Sequence, residues 1–380
     1  MTEHTPRTPA VTSRLPKVGT TIFTVMSALA AEHRAVNLGQ GFPDFDCDPK
    51  LVDAVAEAMR LGLNQYPPMA GVATLRDGVA AKIETLYGQA YDPASEITIT
   101  AGATQAILST ILALVRPGDE VIVLDPCYDS YDPNIELAGG IAVHVPLTPG
   151  TFAPDFERIG ASLTPRTRAI IINTPHNPSA TVWSRADMER LATLLAPTDV
   201  IVISDEVYEH MVYDDAPHQS VARFPALAER SVAISSFGKT YHVTGWKVGY
   251  AAAPAALMSE FRKVHQFNVF TVNTPMQHGI ASYMADPAHH LGLAAFYQKK
   301  RDLFRAGLAR TRLRMLPSQG SFFQCVDYSA VSDLGEEDFC RWLTAEKGVA
   351  AIPLSAFYAD GREQHIARFC YAKKDETLAL

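Results

Sequence analysis

The run Ser231-Val232-Ala233-Ile234-Ser235-Ser236-Phe237-Gly238-Lys239-Thr240-Tyr241-His242-Val243-Thr244-Gly245-Trp246-Lys247 sets one lysine after an apolar stretch, among hydroxyls, glycines and a second cation. Ser231 to Ile234 reads as a buried strand, so Lys239 emerges at a sheet edge, where the active sites of open α/β folds gather. Partial burial there favours the neutral amine, a nucleophile toward carbonyl groups. Gly238-Lys239-Thr240 also matches the end of a phosphate-binding G-x-x-x-x-G-K-[ST] loop. That loop relies on a leading glycine, and Ala233 stands in its place. An isolated lysine in a polar run is most often solvated, so neighbours elsewhere in the chain decide how Lys239 is read.

Similar apolar runs recur at Ile97-Thr98-Ile99-Thr100, Val121-Ile122-Val123-Leu124, Ile141-Ala142-Val143, Ala169-Ile170-Ile171-Ile172, Val200-Ile201-Val202-Ile203 and Val248-Gly249-Tyr250. With Val232-Ala233-Ile234 they predict an α/β fold whose large domain holds a mostly parallel seven-stranded sheet, covered by helices on both faces. Thr104 to Leu114 carries a helical apolar stripe that ends at Arg116-Pro117-Gly118, and Ser184 caps the start of another helix. Beyond residue 286 the pattern changes to a long charged helix, Phe296 to Leu308, and to weaker strands at Ser321–Cys325 and Ala367–Cys370. The expected division is residues 1–46 as an N-terminal arm and part of a small α+β domain, 47–285 as the large domain, and 286–380 as the rest of the small one.

A chain of 380 residues, 47% hydrophobic and 19% charged, buries a large core. Its net charge of −8 and lack of a Lys/Arg run argue against nucleic acid and favour small metabolites. Cys47, Cys127, Cys325, Cys340 and Cys370 form no C-x-x-C pair and are odd in number, which fits a reducing, cytoplasmic setting. No apolar run reaches membrane-span length, and Thr2-Glu3-His4-Thr5-Pro6-Arg7 reads as a loose arm. His289-His290 lacks the spacing of a zinc site and reads as helix surface, and Met26 and Met59 read as core. A last helix begins at Asp375-Glu376-Thr377-Leu378, close enough to Leu380 that the C-terminus reads as short or cut.

Other strand ends supply partners for Lys239. Asp205 follows Val200–Ile203, where an unpaired buried carboxylate is costly, so it calls for a cation or else serves as a cap or salt-bridge member. Asn173-Thr174-Pro175-His176-Asn177-Pro178 follows Ala169–Ile172 and leaves the Asn177 amide as a placed donor, although Asn-Pro alone marks only a turn. Thr100-Ala101-Gly102-Ala103-Thr104 ends a strand and opens a helix whose free amides suit a phosphate, unless Thr104 merely caps it. A phosphate site, a reactive lysine, a buried carboxylate, an amide donor and a phenol together match pyridoxal 5′-phosphate (PLP).

Ser-Phe-Gly-Lys-Thr-Tyr-His-Val-Thr-Gly-Trp-Lys, with Asn-x-Pro-x-Asn-Pro and Asp-Glu-Val-Tyr, resembles the fold-type I, class I/II aminotransferases, most of all their methionine and kynurenine aminotransferase group. The resemblance runs from Asn37-Leu38-Gly39-Gln40-Gly41-Phe42-Pro43 to Arg368-Phe369-Cys370-Tyr371. It implies that Lys239 forms a Schiff base with PLP and shuttles a proton, and that Asp205 pairs with the pyridinium nitrogen. It implies that Tyr208 and Asn177 bond the phenolic oxygen and that Tyr128 stacks on the ring. The phosphate falls to the amides of Ala103 and Thr104, the Ser236 hydroxyl and Lys247, which replaces the arginine of most of the wider family. Tyr66 would enter the neighbouring subunit's phosphate site, implying a homodimer with shared active sites, although alone it reads as a surface turn. Arg368 would clamp the substrate α-carboxylate, with Asn177 beside it and the Gly41 amide close by.

The implied reaction is transamination in two half-reactions between a neutral L-amino acid (methionine, glutamine or an aromatic one) and a 2-oxo acid, with Phe23 and Phe357 contributing apolar walls. No second arginine for a side-chain carboxylate is recognisable. The alternatives are a cysteine-conjugate β-lyase, which expels a β-leaving group from the same carbanion, and a non-catalytic PLP-binding regulator. The regulator would need a DNA-binding helix pair, for which the chain has no evident room.

Overall fold

The computed structural model describes residues 11–380; the N-terminal stretch read above as a loose arm lies outside them. All seven apolar runs form strands of one sheet, in the spatial order Ile97–Thr100, Gly249–Ala252, Ser231–Ser236, Ile201–Asp205, Thr167–Asn173, Glu120–Asp125, Ile141–Pro146. Six strands share one direction, and Gly249–Ala252 alone runs antiparallel to both of its neighbours. The central strands carry apolar runs because both faces are covered, whereas the edge strand Ile141–Pro146 is only partly buried and carries His144. Ile122, Ile170, Ile172 and Val202 join one core, while Val121, Val123, Ile171, Ile203, Val232 and Ile234 join the core on the opposite face. The common direction brings Thr100, Asp125, Asn173, Asp205 and Ser236, each the last residue of its strand, to a single edge.

Helix Gly102–Leu114 covers this sheet and starts at that edge. Its first residue, Gly102, has φ +73°, and no side chain caps its N-terminus, so Thr104 is not the cap. Ser184 does cap helix Arg185–Leu195, through a reciprocal box with Asp187. A second, antiparallel sheet orders Ile352–Pro353, Ile366–Cys370, Phe323–Asp327 and Arg314–Met315, with helix Leu293–Leu308 running alongside. Val36–Asn37 pairs in parallel with Val349–Ala350, joining the N-terminal segment to the second half of the chain.

Two expectations are overturned. Met26 is core, but Met59 is 48% exposed because it lies beside the Leu51, Val55 and Ala58 stripe of its helix rather than on it. His290 is buried rather than on a helix surface, 4.8 Å from the His210 ring, and His289 stacks on Tyr283 at 3.7 Å. Their helix, Ala288–Leu291, is a single turn wedged between longer ones.

Candidate active site

At the sheet's C-terminal edge a cavity of about 350 Å³ gathers Gly41, Ala103, Thr104, Tyr128, Asn177, Asp205, Tyr208, Ser236, Lys239, Lys247 and Arg368. Every predicted site residue except Tyr66 therefore lines one space. Tyr66 lies elsewhere, 82% exposed, edge-on to Phe270 at 5.3 Å. Phe23 lines the cavity, and Phe357 stands behind it with ring centroids 5.8 Å apart.

Lys239 sits one turn past strand Ser231–Ser236, and its amine donates to the Gly41 carbonyl at 2.8 Å. Burial lowers its pKa to about 8, with the charges of Arg368 and Lys247 acting in the same direction. A usable fraction of neutral amine is therefore present near neutral pH. A side chain on Gly41 would meet the Phe323 ring at 3.1 Å, so glycine lets this strap lie close over the site.

Asp205, at the end of the neighbouring strand, is buried and raised by desolvation to about 6. Two donors partly offset this: the Tyr131 hydroxyl at 2.8 Å and the Val207 amide at 3.3 Å. No lysine, arginine or histidine among the described residues makes an ion pair with it. A buried carboxylate with donors on its oxygens and no cation is suited to a cationic ring N–H.

Arg368 occupies the middle of strand Ile366–Cys370 and is only 1% exposed. One guanidinium nitrogen donates to Asn177 Oδ1 at 2.7 Å and another to the Gly39 carbonyl at 2.9 Å. The guanidinium carbon lies 4.0 Å from the Phe323 ring centre and 5.3 Å from that of Phe23, and Nε has no partner. Desolvation lowers its pKa, and no acid among the described residues pairs with it. This cation is built to receive an anion from outside the chain.

At the other end, Lys247 Nζ would lie 3.3 Å from a Cβ placed on Gly102, and Lys247 itself holds a left-handed φ of 54°. Uncapped helix amides, the Ser236 hydroxyl and this ammonium make an anion cradle in which glycine keeps the backbone open. Tyr208 is buried with its hydroxyl pKa pushed well up by desolvation, and the burial of Tyr128 raises its pKa to about 12; both phenols stay neutral donors.

Sequence reasoning missed Tyr131, Asn173 and Asp129. Tyr131 follows Tyr128 by three residues at a helix start, a spacing that could have suggested shared facing. Asn173 donates to the Asp205 carbonyl at 2.8 Å and accepts from the Asn177 amide at 2.8 Å, tying two strand ends together. It too ends an apolar strand, the signal that singled out Asp205. The Tyr128 loop is also joined to the segment carrying Phe357, through Cys127 N–H to the Phe357 carbonyl at 2.8 Å.

A doubly covered, mostly parallel sheet with an amine, a buried acid, an anion cradle and a buried arginine at one edge defines a PLP-dependent transferase fold. The chain belongs to the aminotransferase class I and II family, which matches residues 33–379 and is PLP-dependent, and it is an enzyme. It is 54% identical to the methionine aminotransferase of Escherichia coli (strain K12) over 96% of this chain and 95% of that one. It is 36% identical to Homo sapiens kynurenine–oxoglutarate transaminase 1, over 92% and 91%. The crystal structure of YbdL from Escherichia coli, identified with a methionine aminotransferase function, aligns with TM-score 0.96 at 53% identity, over 98% and 97%.

Proposed function

We propose that this aminotransferase holds PLP at Lys239 and moves the amino group of a neutral L-amino acid (methionine, glutamine or an aromatic one) to a 2-oxo acid by a ping-pong route. One observation carries the reading: a cation-less buried Asp205, an acid-less buried Arg368 and the Lys239 amine share one cavity. The residues fit the cofactor. Asp205 would face the ring nitrogen, Tyr128 the ring face, and Tyr208 with the Asn177 amide nitrogen the phenolic oxygen. The Ala103 and Thr104 amides, Ser236 and Lys247 would take the phosphate. When bound, PLP supplies an electron sink conjugated to the substrate nitrogen.

This chain's residues do the rest. Arg368 receives the substrate α-carboxylate, with Asn177 Oδ1 orienting its fork. The Lys239 amine, its pKa lowered by burial to about 8, would be the base that takes the proton from the substrate α-carbon. Phe23 and Phe323 exclude water around the Arg368 contact. The names of the Escherichia coli and human relatives support the neutral and aromatic donor class.

The exposed Tyr66 and Phe270 pair, with Phe267 86% exposed, supports a homodimer in which Tyr66 reaches the partner's phosphate cradle. Pairing of Val36–Asn37 with Val349–Ala350 supports grouping residues 1–46 with 286–380 as a small domain apart from 47–285. None of the helices of the described residues is long and apolar enough to cross a membrane.

The test is a donor panel against several 2-oxo acids, with borohydride reduction followed by peptide mapping. The expected label sits on Lys239 and is lost in Lys239→Ala, and initial rates give parallel double-reciprocal lines. A label elsewhere, or release of pyruvate and ammonia without any 2-oxo acid, would refute the assignment.

A further inference from the structure

Two charged side chains line the cavity without an ion pair or a side-chain hydrogen-bond partner among the described residues. Lys247 belongs to the anion cradle; the other is Asp129, next to Tyr128, which neither the cofactor contacts nor the proton transfer uses. It shares the space with Phe23, Gln40 and Arg368. Gln40 is not free to neutralise it, because its amide donates to the Phe23 carbonyl at 3.2 Å and to Ser27 Oγ. Asp129 is exposed at the cavity wall; desolvation of its carboxyl still raises its pKa, opposed by the Arg368 charge and by its own backbone amide.

We infer that Asp129 is the specificity-determining residue that excludes amino acids and 2-oxo acids whose side chains end in a carboxylate. The inference rests on the neutral-donor aminotransferase reading above and names a residue that enforces it. Once the α-carboxylate occupies Arg368, that positive charge is neutralised. Asp129 then contributes an unpaired negative charge to the wall of the cavity that Phe23 and Phe323 also line. A second substrate carboxylate entering there meets a like charge, whereas a thioether, an aromatic ring or a primary amide does not. The amide also brings donors that Asp129 can accept. Rejection is thus achieved by a placed repulsive charge, without any contact dedicated to the preferred side chain.

The experiment compares the wild-type holoenzyme with Asp129→Asn and Asp129→Glu. It measures kcat/KM for methionine and glutamate, and calorimetric dissociation constants for the unreactive acids 4-methylpentanoate and glutarate. Asn removes the charge at nearly constant shape, so the glutamate-to-methionine ratio and the glutarate-to-methylpentanoate affinity ratio should each rise roughly threefold to tenfold, as for a partly solvated like-charge pair. Glu keeps the charge and should keep the exclusion. Ratios that do not move in Asp129→Asn, or that rise equally in Asp129→Glu, overturn the inference. A wild-type enzyme that prefers glutamate to methionine overturns instead the neutral-donor reading on which it rests.

Discussion

Replacing Lys82 by methionine isolates the buried ionic brace behind the active-site strands. Lys82 donates to Glu209 Oε1 at 2.6 Å, with side-chain exposures of 6% and 2%. The same carboxylate accepts from Tyr87 at 2.6 Å, Ser235 at 2.6 Å and Tyr250 at 2.8 Å. At that ion separation and an effective dielectric constant of about 20, the lost attraction is about 6 kcal/mol. Removing the ammonium also removes the cost of burying it, so the net destabilisation is about 3–5 kcal/mol, the range for orphaning one member of a buried pair.

The pH dependence carries a sign. In the wild type, burial pushes the Glu209 pKa up, but the Lys82 charge and the Lys82 and Ser235 hydrogen bonds outweigh it and hold the carboxyl well below its ordinary range. Its stabilising contribution is therefore present above the unfolded carboxylate pKa and is lost as pH falls through the folded value. In Lys82→Met burial prevails and the carboxyl gains stability by taking a proton. The gap between the two proteins should be widest near pH 7.5 and narrower at pH 5. Urea denaturation of the cofactor-free proteins, followed by tryptophan fluorescence, measures it. Lys82→Met/Glu209→Gln should recover part of the loss. A single variant within about 1 kcal/mol of wild type, against the 3–5 expected for a buried pair, or a gap that widens toward pH 5, refutes the argument.

Tyr131→Phe removes the 2.8 Å donor from Asp205 and should weaken PLP binding about tenfold, in line with roughly 1.5 kcal/mol for a hydrogen bond to a charged group. Because the Asp205 pKa then rises further above its value of about 6, the deficit should shrink as pH rises; fluorescence titration from acid to alkaline pH reads this directly. Lys239 in the cofactor-free protein should be modified by reductive methylation at a rate that climbs with pH through about 8 and then levels, since only the neutral amine reacts. Peptide mapping at each pH checks it, and a midpoint near the ordinary lysine value of about 10.4 would sink the claim.

The strands were legible because most are short β-branched runs buried on both faces, such as Ala169–Ile172 or Val121–Leu124, which leaves no other economical conformation. Lys239, Asp205 and Asn177 were legible because they follow such runs, and polar groups at strand ends gather at one edge when the strands share a direction. Asp129 and Tyr131 were not, because an acid after an aromatic and a tyrosine opening a short helix are ordinary local features. Only the turn after Glu120–Asp125 brings one to the cavity wall and the other onto Asp205.

The sequence by itself determined the α/β class, the seven strands and the lysine that carries the chemistry, since burial patterns and motif spacing are local properties of the chain. Tertiary structure alone decided that strand Ser231–Ser236 lies beside Ile201–Asp205, so that amine and acid face one space. It also decided that Arg368 is enclosed by phenylalanines and left without an acid partner among the described residues. Neither follows from local preference, because strand order and the desolvation of a charge depend on which distant surfaces pack together.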